Sequence, residues 1–186
     1  MTRSRRPRWR SLAWLGGIAL VGGVLAVLAF VPLAEAPTGE TGPLIGKDAP
    51  ALEARDLDGA AWTMADGRGR ITWVNLWATS CEPCRTEMPA MQRLAEAYGD
   101  ELLILGLDRG ESRESVVGFA TRYGVSYPIL LDPNLANSHR WSLDPGLPRH
   151  WFVDADGVVV REVVGPLEPA RMVEILEELI GPVPAA

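Results

Sequence analysis

The sequence predicts an α/β domain with a mixed central sheet and helices on both faces, preceded by one membrane-spanning helix. Apolar strand patterns alternate with amphipathic helical patterns along residues 47–186. The last three elements read as two strands and a helix, which indicates an antiparallel hairpin at one side of the sheet. A long uncharged segment near the N-terminus supplies the predicted spanning helix.

The N-terminal segment predicts a basic cytoplasmic end, residues 1–11, followed by an anchor over residues 12–34. The first ten residues hold five arginines and no acid, and residues 12–34 are 23 uncharged, mostly apolar positions. At about 1.5 Å per residue such a helix exceeds a hydrocarbon core of about 30 Å. The arginines are expected to stay in the cytoplasm, which places the rest of a single-pass protein outside the cell membrane. A signal peptide cleaved near Ala34-Glu35-Ala36 remains an alternative, and it exports the same domain.

Residues 35–46 contain two prolines and three glycines and predict a linker, so the domain is expected to cover residues 47–186. Without the five N-terminal arginines, 13 of the 18 basic residues remain against 24 acidic ones, a net charge of −11. A domain this acidic is not expected to bind nucleic acid, which needs a basic surface.

Hydrophobic periodicity assigns each element in turn. An N-terminal β-hairpin extension turns at Asp58-Gly59, and the strand over residues 70–78 is nearly continuously apolar, as in a strand buried on both faces. Ser112 and Gly124 are expected to begin and end one helix. The predicted strands cover residues 51–55, 60–64, 70–78, 101–108, 126–132, 149–154 and 158–164, and the predicted helices cover 82–99, 112–123, 134–141 and 168–180.

The two cysteines of the chain stand as Cys81-x-x-Cys84, after the buried strand and at the start of a predicted helix. Unpaired N–H groups and the helix dipole at this position favour an anion, so the pKa of the Cys81 thiol should fall from about 8.5 into roughly the 3.5–7.5 range. Cys84 lies one turn later on the same face and is expected to be more buried. Pro83 occupies the first turn, where a missing N–H costs little. This pattern predicts a redox pair in which Cys81 attacks and Cys84 resolves.

Other uses of two cysteines fit less well. A purely structural disulfide would close too short a loop to gain much, and a zinc site would need further ligands, whereas His139 and His150 are distant in the sequence. We therefore expect no metal or cofactor. Two alternatives stay open: a metallochaperone-like module that holds Cu(I) with both thiolates, and a peroxidase on the same fold.

Residues 77–89, Trp-Ala-Thr-Ser-Cys-Glu-Pro-Cys-Arg-Thr-Glu-Met-Pro, resemble the active site of membrane-anchored thiol–disulfide oxidoreductases of the TlpA/ResA type. The similarity extends over roughly residues 45–170, including Leu147-Pro148 and Phe152-Val153-Asp154. The resemblance implies a thioredoxin-like fold and a bacterial extracytoplasmic reductant. It also implies a disulfide-bearing client protein, such as apocytochrome c, and a membrane thiol as electron donor. We expect a monomer.

The resemblance also implies the roles of individual residues. Cys81 matches the nucleophile, Cys84 the resolving thiol, and Pro148 the cis-proline of the family. Glu87 matches an acidic residue that tunes the cysteines, and at i+3 from Cys84 it could accept or return a proton. Asn75 stands where many thioredoxins carry a buried acid, which shifts proton transfer towards Glu87.

Residues expected to tune the site or contact a client are Trp77, Glu82, Pro83 and Leu147. Two features depart from the family pattern. Ser80 replaces the usual tryptophan before the first cysteine, which alters the recognition surface. Arg149 and His150 follow the proline in place of small hydroxyl residues; His150 is expected to be an ordinary strand residue, and a role in stabilising a thiolate is the open alternative.

Overall fold

The computed structural model describes residues 42–144 and 146–184. The predicted cytoplasmic end 1–11, the anchor 12–34 and most of the linker lie outside these residues. Within the described ranges, no helix has the length and apolar character needed to cross a membrane.

Seven strands in the described part of the chain form one mixed sheet in the order β2-β1-β5-β4-β3-β6-β7. The central strands β3, β4 and β5 are parallel, β6 and β7 form an antiparallel hairpin on one side, and the β1–β2 hairpin lies on the other. The predicted mixed sheet and N-terminal hairpin are therefore confirmed. The bounds are β1 Glu53–Asp56, β2 Ala61–Thr63, β3 Ile71–Trp77, β4 Leu102–Asp108, β5 Ile129–Leu131, β6 Arg149–Val153 and β7 Val159–Val164.

The helices cover both faces of the sheet. They are α1 Glu82–Tyr98, α2 Arg113–Tyr123, α3 Ala136–Trp141 and α4 Pro169–Leu179. One core cluster unites α1, α2 and α4 with Trp73 and Trp77 of β3, and a second unites α3 with Val74 and Leu76 of the same strand. Because successive strand residues point to opposite faces, β3 is apolar on both sides, as its sequence predicts. The helix α2 begins after Ser112 and ends at Gly124, also as predicted.

The fifth strand is shorter than the predicted 126–132. The carboxamide oxygen of Gln92 in α1 accepts hydrogen bonds from the N–H groups of Ser126 and Tyr127 at 2.8 and 3.3 Å. Pro128 has no N–H to give to the sheet. The approach to β5 is therefore bound to α1, and pairing begins at Ile129.

Packing on the domain begins before Lys47. Gly46 N–H donates to the carbonyl of Val159 at 2.8 Å, and Val159 N–H returns a bond to the Lys47 carbonyl at 2.9 Å. Leu44 packs against the second core cluster. Residues 42–46, assigned to the linker from composition, thus lie along β7.

Candidate active site

The disulfide between Cys81 and Cys84 stands at the N-terminus of α1. Cys81 is the N-cap residue, and its Sγ accepts a hydrogen bond from Cys84 N–H at 3.3 Å. Cys81 is half-buried, whereas Cys84 is fully buried. The sulfur that an incoming protein reaches first is therefore the one at the positive end of the helix, where a thiolate is stabilised.

The first turn of α1 is exposed. Glu82 forms an ion pair with Arg85, so the acid next to the nucleophile carries its own counter-ion. Pro83 lies at the surface in the first turn, where the missing N–H leaves no bond unmade. Both residues border a groove of about 410 Å³ between this turn and residues 166–169. Glu82 and Pro83 are thus accessible to a client.

Glu87 lies in α1, one turn after Cys84, and is buried, with 4% of its surface exposed. Its Oε2 accepts a hydrogen bond from Leu167 N–H at 3.1 Å, and its Oε1 lies 3.5 Å from Nε2 of His150. Burial raises the pKa of Glu87 to about 8, although the Leu167 N–H and the Asn75 amide act in the opposite direction. Near neutrality this carboxyl can therefore both hold and release a proton.

His150 is fully buried, and the other residues of β6 are buried too. Its Nδ1 lies 3.2 Å from the Trp73 indole nitrogen and 3.3 Å from the Asn75 amide nitrogen. Burial lowers the pKa of His150 to about 3, and the Gly165 backbone near the ring opposes this only in part. The ring is a neutral member of a buried polar cluster that contains Glu87.

Trp77 is fully buried and packs 4.7 Å from the ring of Phe119, centroid to centroid. A side chain in this position packs behind the site and cannot contact a client directly, so of the two expected roles only tuning stays a prediction. Gly106 makes room for this packing, since a Cβ there would lie 3.3 Å from the Trp77 indole nitrogen and 3.1 Å from the ring of Tyr127.

The Leu147–Pro148 peptide bond is cis, as the resemblance implies. Pro148 is buried, and Leu147 is half-buried against the core. The next residue, Arg149, is buried and pairs with Glu162 at 2.8 Å and with the exposed Asp144 at 3.5 Å. The charge of Arg149 is thus paired with acids outside the cluster that contains Glu87.

The pattern of the AhpC/TSA family matches residues 45–162, more than half of the chain. The chain belongs to the AhpC/TSA family. Thiol-disulfide oxidoreductase ResA of Bacillus thuringiensis (strain Al Hakam) is 34% identical over 122 residues, 65% of this chain and 70% of the relative. ResA of Geobacillus thermodenitrificans is 31% identical over 157 residues, 84% of this chain and 90% of the relative.

Solved structures agree with this assignment. A thioredoxin-family thiol:disulfide interchange protein from Chlorobium tepidum TLS superimposes with a TM-score of 0.64 at 27% identity, over 72% of this chain and 96% of that one. A DsbF homologue from Corynebacterium diphtheriae, at 20% identity and TM-score 0.67 over 77% and 96%, shares the fold. This AhpC/TSA-family protein is a thioredoxin-like thiol–disulfide oxidoreductase of the ResA type.

One feature of this AhpC/TSA-family site was missed in the sequence: Glu111 binds the segment that precedes Cys81. Thr79 donates both its N–H and its hydroxyl to the two Glu111 carboxylate oxygens, each at 2.5 Å. Glu111 N–H in turn donates to Asp108 Oδ2 at 2.9 Å. Burial raises the pKa of Asp108 to about 7, and the Glu111 and Asp132 carboxylates add to this. The available signal was the strand–helix–strand order, which predicts that β3 and β4 are parallel and end at one edge but does not give their register.

We expect Glu111→Ala to destabilise the domain by about 1–3 kcal/mol, because the half-buried Thr79 N–H loses its acceptor. Thr79→Ala should cost less, since the backbone bond to Glu111 survives. The measurement is urea unfolding of the full-length chain in a mild detergent. Glu101→Ala, at an exposed acid outside this network, is the control. Equal losses in Glu111→Ala and Glu101→Ala would contradict the assignment.

Proposed function

We propose that this oxidoreductase is a membrane-anchored reductant that acts outside the cytoplasmic membrane. It takes electrons from a membrane thiol donor and reduces disulfides of client proteins, such as the haem-binding cysteines of apocytochrome c. The observation that carries the proposal is the half-buried Cys81 sulfur at the start of α1, above a buried Cys84 and a buried Glu87. The basic end and apolar stretch of residues 1–34 support the anchoring and the orientation.

The chemistry begins on the dithiol form. The Cys81 thiolate attacks one sulfur of the client disulfide, so that a Cys81–client bond forms, the client bond breaks, and the released client thiolate takes a proton from solvent. Cys84 then gives its proton to the Glu87 carboxylate and attacks Cys81 Sγ. The Cys81–Cys84 disulfide forms as the Cys81–client bond breaks, and the second client thiolate leaves and takes a proton from solvent. The client has gained two electrons from the dithiol and two protons from solvent, and the Cys84 proton stays on Glu87.

The structure records the oxidised end of this cycle. With a pKa of about 8, Glu87 holds its proton for much of the time at neutral pH. When the donor dithiol opens the disulfide, this proton is available to the Cys84 thiolate as it forms. The same carboxyl thus serves both half-reactions, in opposite directions.

Recognition of the client falls to the exposed residues around Cys81. Ser80 is exposed and Glu82 and Pro83 border the groove beside α1. A serine in place of a large ring leaves Cys81 with little cover on that side. We propose that clients are held by backbone pairing beside Leu147 and Pro148.

The reduction potential of the Cys81–Cys84 couple tests the direction of electron flow. A reductant is expected to lie near the roughly −270 mV of thioredoxin, and a value near −120 mV would identify an oxidant. The couple is equilibrated with glutathione or dithiothreitol buffers in the full-length chain, and a disulfide-bonded Cys-x-x-Cys-His peptide serves as the client. Reduction of the peptide must disappear in Cys81→Ser. Retention of activity in that variant would refute the function.

A further inference from the structure

Two buried polar atoms, one from α1 and one from β6, face each other. Glu87 Oε1 and His150 Nε2 are 3.5 Å apart, and neither makes a hydrogen bond of ordinary length in the described part of the chain. His150 is 0% exposed and Glu87 4%. Buried donors and acceptors are rarely left unpaired, so two such atoms on facing elements call for a common explanation.

The other ring nitrogen of His150 decides which atom carries the proton. An indole N–H can only donate, so the 3.2 Å contact from Trp73 Nε1 requires an unprotonated Nδ1. The neutral ring must then carry its hydrogen on Nε2, the nitrogen that faces Glu87. An imidazolium would set a second N–H against the indole N–H, so Trp73 also opposes protonation of the ring.

We propose that His150 is a positioning residue for this reaction: Trp73 fixes its Nε2–H tautomer, and this N–H is donated to Glu87 Oε1 when the carboxyl is ionised. The ionised carboxylate is then held from both sides, by Leu167 N–H on Oε2 and by His150 on Oε1. Hydrogen bonds to charged acceptors are short, so the 3.5 Å separation of the oxidised state should close when Glu87 loses its proton. This inference rests on the proposed function, in which Glu87 exchanges a proton with Cys84.

The consequence is a carboxyl that ionises more readily than burial alone allows. A neutral N–H donor stabilises the carboxylate without adding a charge. The other groups that act on Glu87 come from three further parts of the fold: β3, the segment before β5, and the segment before α4. They are Asn75, Tyr127, and Leu167 N–H with Glu168.

The test is NMR of the oxidised full-length chain in detergent, with no client present. The chain has two histidines, so ¹⁵N-labelled imidazole signals are assigned from His139→Gln. We expect His150 to show a protonated Nε2 and a bare Nδ1 from pH 5 to 9. A protonated Nδ1, or an imidazolium at pH 6, would overturn the inference.

The second measurement follows the Glu87 carboxyl carbon, assigned by its loss in Glu87→Gln. Its midpoint should lie near 8 in the parent and rise by about one unit in His150→Leu, the size expected for a lost hydrogen bond to a charged group. His150→Gln, which keeps an N–H donor, should recover part of the shift, and the exposed His139→Leu should cause none. A folded His150→Leu with an unchanged midpoint contradicts the proposal.

Trp73→Phe provides an independent test if the His150 variants fold poorly. It removes the indole donor and leaves both Glu87 and His150 in place. We expect the His150 ring to titrate at a higher pH than in the parent, because an Nδ1 hydrogen is no longer opposed. No change would sink the inference. Because these signals need no client, they are independent of peptide reduction by Cys81, and each proposal can fail alone.

Discussion

Replacing Cys84 with serine is expected to stop turnover completely and to leave the client covalently attached to Cys81. The half-buried Cys81 keeps its position at the N-terminus of α1, where the helix stabilises its thiolate, so the first exchange still occurs. Serine cannot attack the mixed disulfide at a useful rate, and the buried position offers no other thiol, since the chain has two cysteines. Non-reducing electrophoresis and intact-mass measurement would detect the adduct with a disulfide-bonded client peptide.

Cys81→Ser is the matched control, because it removes the exposed sulfur and keeps the buried one. It should give neither turnover nor adduct. A comparable amount of adduct through Cys84 would mean that the buried sulfur is the one a client reaches. That result would reverse the roles that burial assigns to the two residues.

The parts of the site that the sequence predicts are those with local causes. Cys81 caps α1 and Cys84 is buried one turn later, because helix geometry alone fixes both positions. The cis bond before Pro148 followed from a motif rather than from propensity, and the structure has it. The β1–β2 hairpin likewise has a turn whose residues indicate it.

The parts that could not be predicted depend on strand register. Trp73 and His150 are 77 residues apart and meet only because β3 pairs antiparallel with β6 in a register that sets Asn75 opposite His150. Thr79 and Glu111 meet because β3 and β4 end at the same edge. Neither register can be derived from hydrophobic periodicity when all three strands are buried on both faces. The position of His150 beside Glu87 could not be predicted for this reason.

As the pH rises towards 8, the free energy of unfolding is expected to fall less in Glu87→Gln than in the parent. The pKa of Glu87 is raised from 4.5 to about 8 by burial, so between these values the folded chain binds a proton that the unfolded chain does not. Stability conferred by this group is therefore fully present below pH 4.5 and is lost as the pH rises to 8. The loss from pH 6.5 to 8 should be roughly 1.5–2 kcal/mol, at 1.36 kcal/mol per pKa unit.

Because His150 also affects the pH dependence of stability, the comparison is made above pH 6.5. The pKa of His150 is lowered from 6.5 to about 3, so its contribution is present above pH 6.5 and is lost as the pH falls through that interval, opposite in sign to Glu87. Between pH 4.5 and 6.5 the two trends oppose each other, whereas above 6.5 Glu87 acts without His150. Asp108, with a pKa raised to about 7, adds a smaller loss that Glu87→Gln leaves unchanged.

The decisive quantity is the slope of unfolding free energy against pH, because an amide beside two N–H donors changes the absolute stability for its own reasons. Urea unfolding of the oxidised full-length chain, followed by tryptophan fluorescence in detergent, should give a shallower fall from pH 6.5 to 8.5 in Glu87→Gln than in the parent. The exposed Glu82→Gln should keep the parent's slope. If Glu87→Gln falls as steeply as the parent, the Glu87 carboxyl is already ionised at neutral pH. It could then receive a proton from Cys84 but could not supply one when the donor opens the disulfide.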